Sequence, residues 1–121
     1  HGGNPPVIMF TGVSANLDSI GNLTVEFDTL PTDVASINVF VSDVPGFDPA
    51  QNSNSVELLG DQTNNNGDLV PETLSQNKGF VSEFLRNFTP VQGMILYYKL
   101  GAKDSSDNHL GMSDEYQITI N

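Results

Sequence analysis

Apolar residues stand at every second position in four stretches of this chain. Leu23, Val25 and Phe27 alternate with Thr24, Glu26 and Asp28, and Ile37, Val39 and Val41 alternate with Asn38 and Ser42. Leu96, Tyr98 and Leu100 form a third row, and Tyr116, Ile118 and Ile120 a fourth, with Gln117 and Thr119 between them. A period of two places the apolar set on one face of a strand and the polar set in water, whereas a helix needs a period of 3.6. No segment carries a helical stripe over three turns, and Glu72 to Gln76 offers one short turn at most. Adding Val7 to Val13, Ser55 to Leu59 and Phe80 to Leu85 gives seven short strands. Clusters such as Asp18-Ser19-Ile20-Gly21-Asn22, Leu30-Pro31-Thr32-Asp33 and Asp43-Val44-Pro45-Gly46 supply the turns between them. The expected fold is all-β, an antiparallel β-sandwich.

With 121 residues the chain has room for one domain, 1–121. The stretch from Gly60 to Gly79 breaks the strand rhythm with about twenty mostly polar residues, where loops usually run about 4 to 6. It is read as a long polar insertion. No run of apolar residues approaches the roughly 18 needed to span a bilayer, so no membrane insertion is expected. No cationic and apolar leader precedes His1-Gly2-Gly3-Asn4-Pro5-Pro6, so an export signal is expected to have been removed or to lie upstream.

Charge narrows the partners. The chain has 15 Asp and Glu against 4 Lys and Arg, for a net charge of -11. Nucleic acid and anionic membrane surfaces would meet an opposing field. The cations are Lys78, Arg86, Lys99 and Lys103, and one arginine cannot build a phosphate clamp. With no Cys, disulfides, thiol catalysis and thiolate metal sites are excluded together.

Several segments, taken in order, resemble a fibronectin type III domain of the bacterial extracellular kind. They are Ser42-Asp43-Val44-Pro45-Gly46-Phe47-Asp48-Pro49 after a strand, then Leu85-Arg86-Asn87-Phe88-Thr89-Pro90. Tyr97-Tyr98-Lys99-Leu100-Gly101-Ala102-Lys103-Asp104-Ser105-Ser106-Asp107-Asn108 and a closing Ser113-Asp114-Glu115 complete the order. The resemblance implies a seven-stranded immunoglobulin-like sandwich, with strands A, B and E facing C′, C, F and G. A related immunoglobulin-like sandwich is the alternative. The chain departs from the family in placing Phe27 where a tryptophan is usual and Leu96 where a corner tyrosine is usual. Its insertion is also longer than the family carries.

Chemistry has few residues to work with. The only imidazoles are His1 and His109, and no G-x-S-x-G turn exists, so no nucleophile and base pair is apparent and the chain is read as non-catalytic. Calcium is a candidate on carboxylate count alone. Gln62-Thr63-Asn64-Asn65-Asn66-Gly67-Asp68 follows a calcium-loop pattern in which the key anions, Asp61 and Glu72, each miss their position by one. Asp104, Asp107 and Asp114 form a second oxygen-rich group.

Copper is the sharper alternative. A free amine and Nδ1 at His1 would chelate one metal in a manner suited to square-planar Cu(II), and Asp107-Asn108-His109 supplies a D-x-H pair. A type III-like sandwich brings the start of strand A and the F–G loop to one pole, so the resemblance implies that His1, Asp107 and His109 converge. That arrangement is similar to the small periplasmic copper carriers of the CopC-like family. Phe40, Phe47, Tyr97 and Phe80 are the rings that would stack on a sugar if they lined one outer face. Open edge strands could also pair with another chain, although Pro5-Pro6 and the charges ahead of the last strand oppose this.

The expectation is a non-catalytic extracellular or cell-surface module, a spacer or binding platform whose partners are neighbouring modules or a protein or carbohydrate ligand. The alternative is a secreted or periplasmic copper(II) protein.

Overall fold

The computed structural model describes residues 7–8, 10–49, 69–73, 79–85 and 88–121. Eight strand segments appear among these residues: β1 (Ser14–Leu17), β2 (Asn22–Phe27), β3 (Ser36–Ser42), β4 (Glu72–Thr73), β5 (Gly79–Phe84), β6 (Ile95–Lys103), β7 (His109–Met112) and β8 (Tyr116–Thr119). There is no helix among the described residues. One sheet has the order β1-β2-β5-β4, and the other joins β3 to β6, which then pairs with β7 and β8 along its far side. Every ladder is antiparallel. Because β7 and β8 occupy one position beside β6, the sandwich has seven strand positions, as the sequence pattern predicts.

The two-residue β4, in a stretch that offered one helical turn at most, sits beside β5, so the described residues form a four-against-three sandwich. Leu69 exchanges both backbone hydrogen bonds with Ile37, at 2.7 and 2.8 Å, and three residues later Glu72 pairs with Phe80 in the opposite sheet. The chain therefore crosses between the sheets inside the stretch read as an insertion. The strand expected at Ser55 to Leu59 lies outside the described residues.

The first strand crosses as well. Val7 forms a parallel bridge with Met112, and Thr11 an antiparallel bridge with Thr29 on the other sheet. A continuous strand over Val7 to Val13 is thus replaced by a switch of sheets, followed by β1. Gly12 allows the switch: its φ is +62°, and a Cβ there would collide with the Asp28 carboxylate. Only glycine adopts that region without steric cost.

The inner rows meet the core as their periodicity predicts. Leu23, Val25, Ile37, Val39, Val41, Leu96 and Leu100 are fully buried, with Phe27, Val81, Tyr98 and Ala102 nearly so. Each large side chain so buried contributes about 1.5–3 kcal/mol of transfer free energy. Phe10 meets Phe27 edge-on, with ring centroids 5.4 Å apart. Leu96 is a fully buried core residue.

Candidate functional site

Two of the three residues singled out for copper lie on the β6–β7 hairpin, and a carboxylate builds its turn. Asp104 Oδ1 accepts the backbone N–H of Ser106 and of Asn108, both at 2.9 Å, and its Oδ2 accepts the Asn108 side-chain amide at 3.3 Å. The backbone closes around it, with Asp104 N–H donating to Asn108 O at 3.0 Å and Asp107 N–H to Asp104 O at 3.0 Å. The Asn108 N–H, foremost among these donors, holds the Asp104 carboxyl below its ordinary value.

Asp107 occupies the left-handed position of this turn, at φ +67°. Its exposed carboxylate lies 3.5 Å from Lys103 Nζ. His109 opens β7 opposite Lys103, where the ladder changes register, and it is exposed. The structure thus brings Asp107 and His109 to one turn with a lysine ammonium beside the carboxylate. His1 lies outside the described residues. The parallel bridge from Val7 to Met112 does bring the start of the described chain beside β7, three residues from His109.

The β1–β2 turn repeats the construction. Asp18 Oδ1 accepts the N–H of Ile20 at 3.0 Å and of Asn22 at 2.9 Å, and Asn22 Nδ2 donates to Oδ2 at 3.3 Å. Gly21 takes the left-handed position, at φ +97°, and the Asn22 N–H holds the Asp18 carboxyl low in the same way. The two loops align residue for residue as Asp18-Ser19-Ile20-Gly21-Asn22 and Asp104-Ser105-Ser106-Asp107-Asn108. A type I turn followed by a left-handed residue is a standard three-residue hairpin closure, and the aspartate tightens it. The shared D-S-x-x-N spacing is the signal that identifies Asp104 and Asp107 as turn residues from the sequence.

This geometry bears on the oxygen-rich group around Asp104, Asp107 and Asp114. Asp104 is engaged by amides of its own turn, and Asp107 faces Lys103. Among the described residues, no group of three or more His, Asp and Glu side chains is placed to hold a metal ion. Asp61 and the stretch Gln62 to Asp68 lie outside the described residues, and Glu72 is described as part of the β4 backbone.

The four rings considered for sugar stacking do not form one face. Phe40 and Tyr97 are half-buried on the β3–β6 sheet, whereas Phe80 belongs to β5 in the other sheet. Phe47 lies in the loop after β3 and is 1% exposed, so its ring is not on an outer face. Lys99 accounts for part of that burial, with Nζ 5.1 Å from the ring centroid and donating to the Phe47 carbonyl at 2.8 Å. The ammonium is held between a π-face and a carbonyl, so the loop after β3 is folded onto the sheet.

At the junction of β7 and β8, Ser113 is buried and replaces part of the ladder. Its hydroxyl accepts the Leu100 N–H at 2.8 Å and donates to Asp114 O at 2.8 Å, while its own N–H donates to Leu100 O at 2.7 Å. The edge strand can break there without leaving the Leu100 amide unpaired.

The chain matches no protein-family model and no curated protein.

Proposed function

We propose that this chain is a non-catalytic, extracellular fibronectin type III-like module, acting as a spacer or binding platform within a secreted or surface protein. The observation that carries this reading is the path of the chain. Val7 lies beside Met112, toward the β6–β7 turn, and Ile120 bonds to Met94 at the opposite end of β6. That geometry suits modules strung end to end, and aspartate-tightened hairpins at both poles hold the ends of the sandwich in shape. A net charge of -11 favours solubility between other polypeptides and repels anionic surfaces. Fractionation of the cells that make the protein, with an antibody against the sandwich and intact-mass analysis, tests the reading. Recovery at the surface or in the medium within a larger polypeptide supports it, and recovery in the cytoplasm overturns it.

The copper reading draws on one observation, the Val7–Met112 bridge that brings the chain alongside β7 near His109. The Lys103 ammonium beside Asp107 opposes a dication at that carboxylate. Cu(II) titration followed by EPR separates the two readings. A type-2 signal lost in His109→Ala and in a variant extended by one residue before His1 supports copper. No binding tighter than about 1 μM, or roughly 8 kcal/mol, removes it.

A further inference from the structure

On the side of the sandwich where β1 and β8 lie, the core is incompletely covered. Ala15 and Leu17 from β1, and Ile118 and Ile120 from the last row, pack against the core yet remain half-buried. The inward rows of β2, β3 and β6 are closed to solvent by comparison. An open groove of about 190 Å³ runs between these two edges.

The β8 backbone faces this groove. Ile120 bonds to the segment just before β6, its N–H donating to Met94 O at 2.8 Å and its carbonyl accepting Gly93 N–H at 2.6 Å. The alternation of an antiparallel ladder then turns Ile118 toward β6, and Gln117 and Thr119 away from it. Neither of these residues has a backbone partner on its outer side among the described residues. Among the described residues, the chain's own first segment covers this edge at β7, where Ile8 N–H donates to Met112 O at 2.9 Å, and crosses to the other sheet at Thr11. Among the described residues, the cover stops where β8 begins.

Natural sheets protect such edges with lysine, proline or a bulge. Neither Ser14-Ala15-Asn16-Leu17 nor Tyr116-Gln117-Ile118-Thr119 contains a charge or a proline, in a chain with 15 acidic residues. The charges appear just beyond the strands and are all negative: Asp18 after β1, Asp114 and Glu115 before β8. The described cations, Lys99 and Lys103, belong to β6. This pattern favours a cationic occupant, and a net charge of -11 on each molecule repels a second copy.

We propose that the seam between β1 and β8 accepts an extended, basic peptide segment of another protein. The segment adds a strand to the β3–β6–β8 sheet through the backbone groups of Gln117 and Thr119, and lays alternate side chains on Leu17 and Ile118. Its flanking cations meet the exposed Asp114 and the negative field of Asp18 and Glu115, whose carboxylates also accept the Asp18 turn amides and the Gly46 N–H. The site is separate from the loops and stands whether or not the chain is a spacer.

The test uses the ¹⁵N-labelled chain and a ten-residue probe peptide of alternating valine and threonine with two lysines at each end. The expected result is slowed amide exchange at Gln117 and Thr119, with a Kd below about 1 mM at low salt that weakens about 10-fold on raising the salt to 0.2 M. Methylating alternate peptide nitrogens abolishes the effect, and a glutamate-flanked peptide binds at least about 10-fold more weakly because its charge is reversed. Thr119→Lys, at an exposed position, keeps the fold and loses binding by about 10-fold or more through like-charge repulsion. Absence of protection at both amides with about 1 mM lysine-flanked peptide overturns the proposal. Equal binding of the glutamate-flanked peptide also overturns it. So does dimerisation of the chain alone that protects the same amides, which assigns the seam to a second copy.

Discussion

The Phe27 ring lies across the backbone of Gly79, its partner on the neighbouring strand. A Cβ built at Gly79 would stand 2.6 Å from Phe27 Cε2, so the bare glycine is the space the ring fills. Phe27 is 1% exposed and stands where the resembled family carries a larger ring. The contact therefore sets how the β2–β5 ladder closes over the core.

Gly79→Ala is expected to destabilise the fold by about 1–3 kcal/mol, the range for an added methyl in a packed core. Urea unfolding followed by intrinsic tyrosine fluorescence measures it. In the Phe27→Leu background the same substitution should cost much less, because the colliding atom is gone, and the two losses should fail to add. Additive losses would show that Gly79 matters for backbone conformation rather than for the ring.

Ser113→Ala removes the hydroxyl that accepts the Leu100 amide at 2.8 Å. Ser113 is 5% exposed and Leu100 fully buried, so the orphaned N–H has poor access to water. The expected cost is about 1–3 kcal/mol, the penalty for one unpaired buried donor. Faster hydrogen exchange at Leu100 locates the loss at the junction of β7 and β8. Unchanged exchange there would show that another group has taken over the bond.

The core strands were legible in the sequence because a strand buried on one face must alternate, and β2 and β6 do so throughout and β3 as far as Val41. Long-range events left weaker marks. The switch of sheets at Gly12 depends on Asp28, a residue distant in sequence, and β4 is two residues long, too short for any period. Ser113 reads as an ordinary turn residue until its hydroxyl is found in the ladder. At the β6–β7 turn, the closeness of Asp107 and His109 follows from adjacency in sequence. The role of Asp104 is carried by the D-S-x-x-N spacing shared with the loop that begins at Asp18, whereas the Lys103 contact to Asp107 has no such mark. The burial of Phe47 has no local mark, because Lys99, fifty-two residues away, holds its loop down.

Acid should weaken both hairpins. Asp18 and Asp104 each have a folded-state pKa below the ordinary 3.8, because turn amides stabilise the carboxylate. A depressed folded pKa contributes stability that is present above the unfolded value and is lost as pH falls through the folded one. Stability should therefore decline as pH drops below about 4, an acid-side slope that linkage ties to these carboxylates. The double variant Asp18→Asn with Asp104→Asn should flatten that slope, read from thermal midpoints between pH 2 and 6. An unchanged slope would assign the acid sensitivity to other carboxylates.

Alkali should act through the core. Burial pushes the Tyr98 phenol up to about 12, with Tyr116 nearby adding to the effect. A raised folded pKa means that the unfolded chain releases this proton first, near 10, so stability is full below that pH and is lost as pH rises toward 12. Tyr98→Phe should remove this part of the alkaline loss, visible as a shallower fall in urea midpoint between pH 9 and 11. An identical fall in the variant would place the sensitivity elsewhere.

Asp107 separates a turn residue from a metal ligand. As a turn residue it is limited by its backbone, at φ +67°, and the equivalent position in the first hairpin is Gly21. Asp107→Ala should then cost about 1 kcal/mol, since a left-handed conformation is unfavourable for a residue with a Cβ. Asp107→Gly should be neutral to within about 0.5 kcal/mol, because relief of that strain offsets the greater freedom of glycine in the unfolded chain. Loss of the Lys103 contact is a minor term, since exposed ion pairs contribute about 0–1 kcal/mol. Denaturant midpoints for the two variants, measured with and without Cu(II), give the decision. A turn residue shows the alanine and glycine difference equally in both conditions, whereas a ligand shows the same loss of metal-dependent stabilisation in each variant.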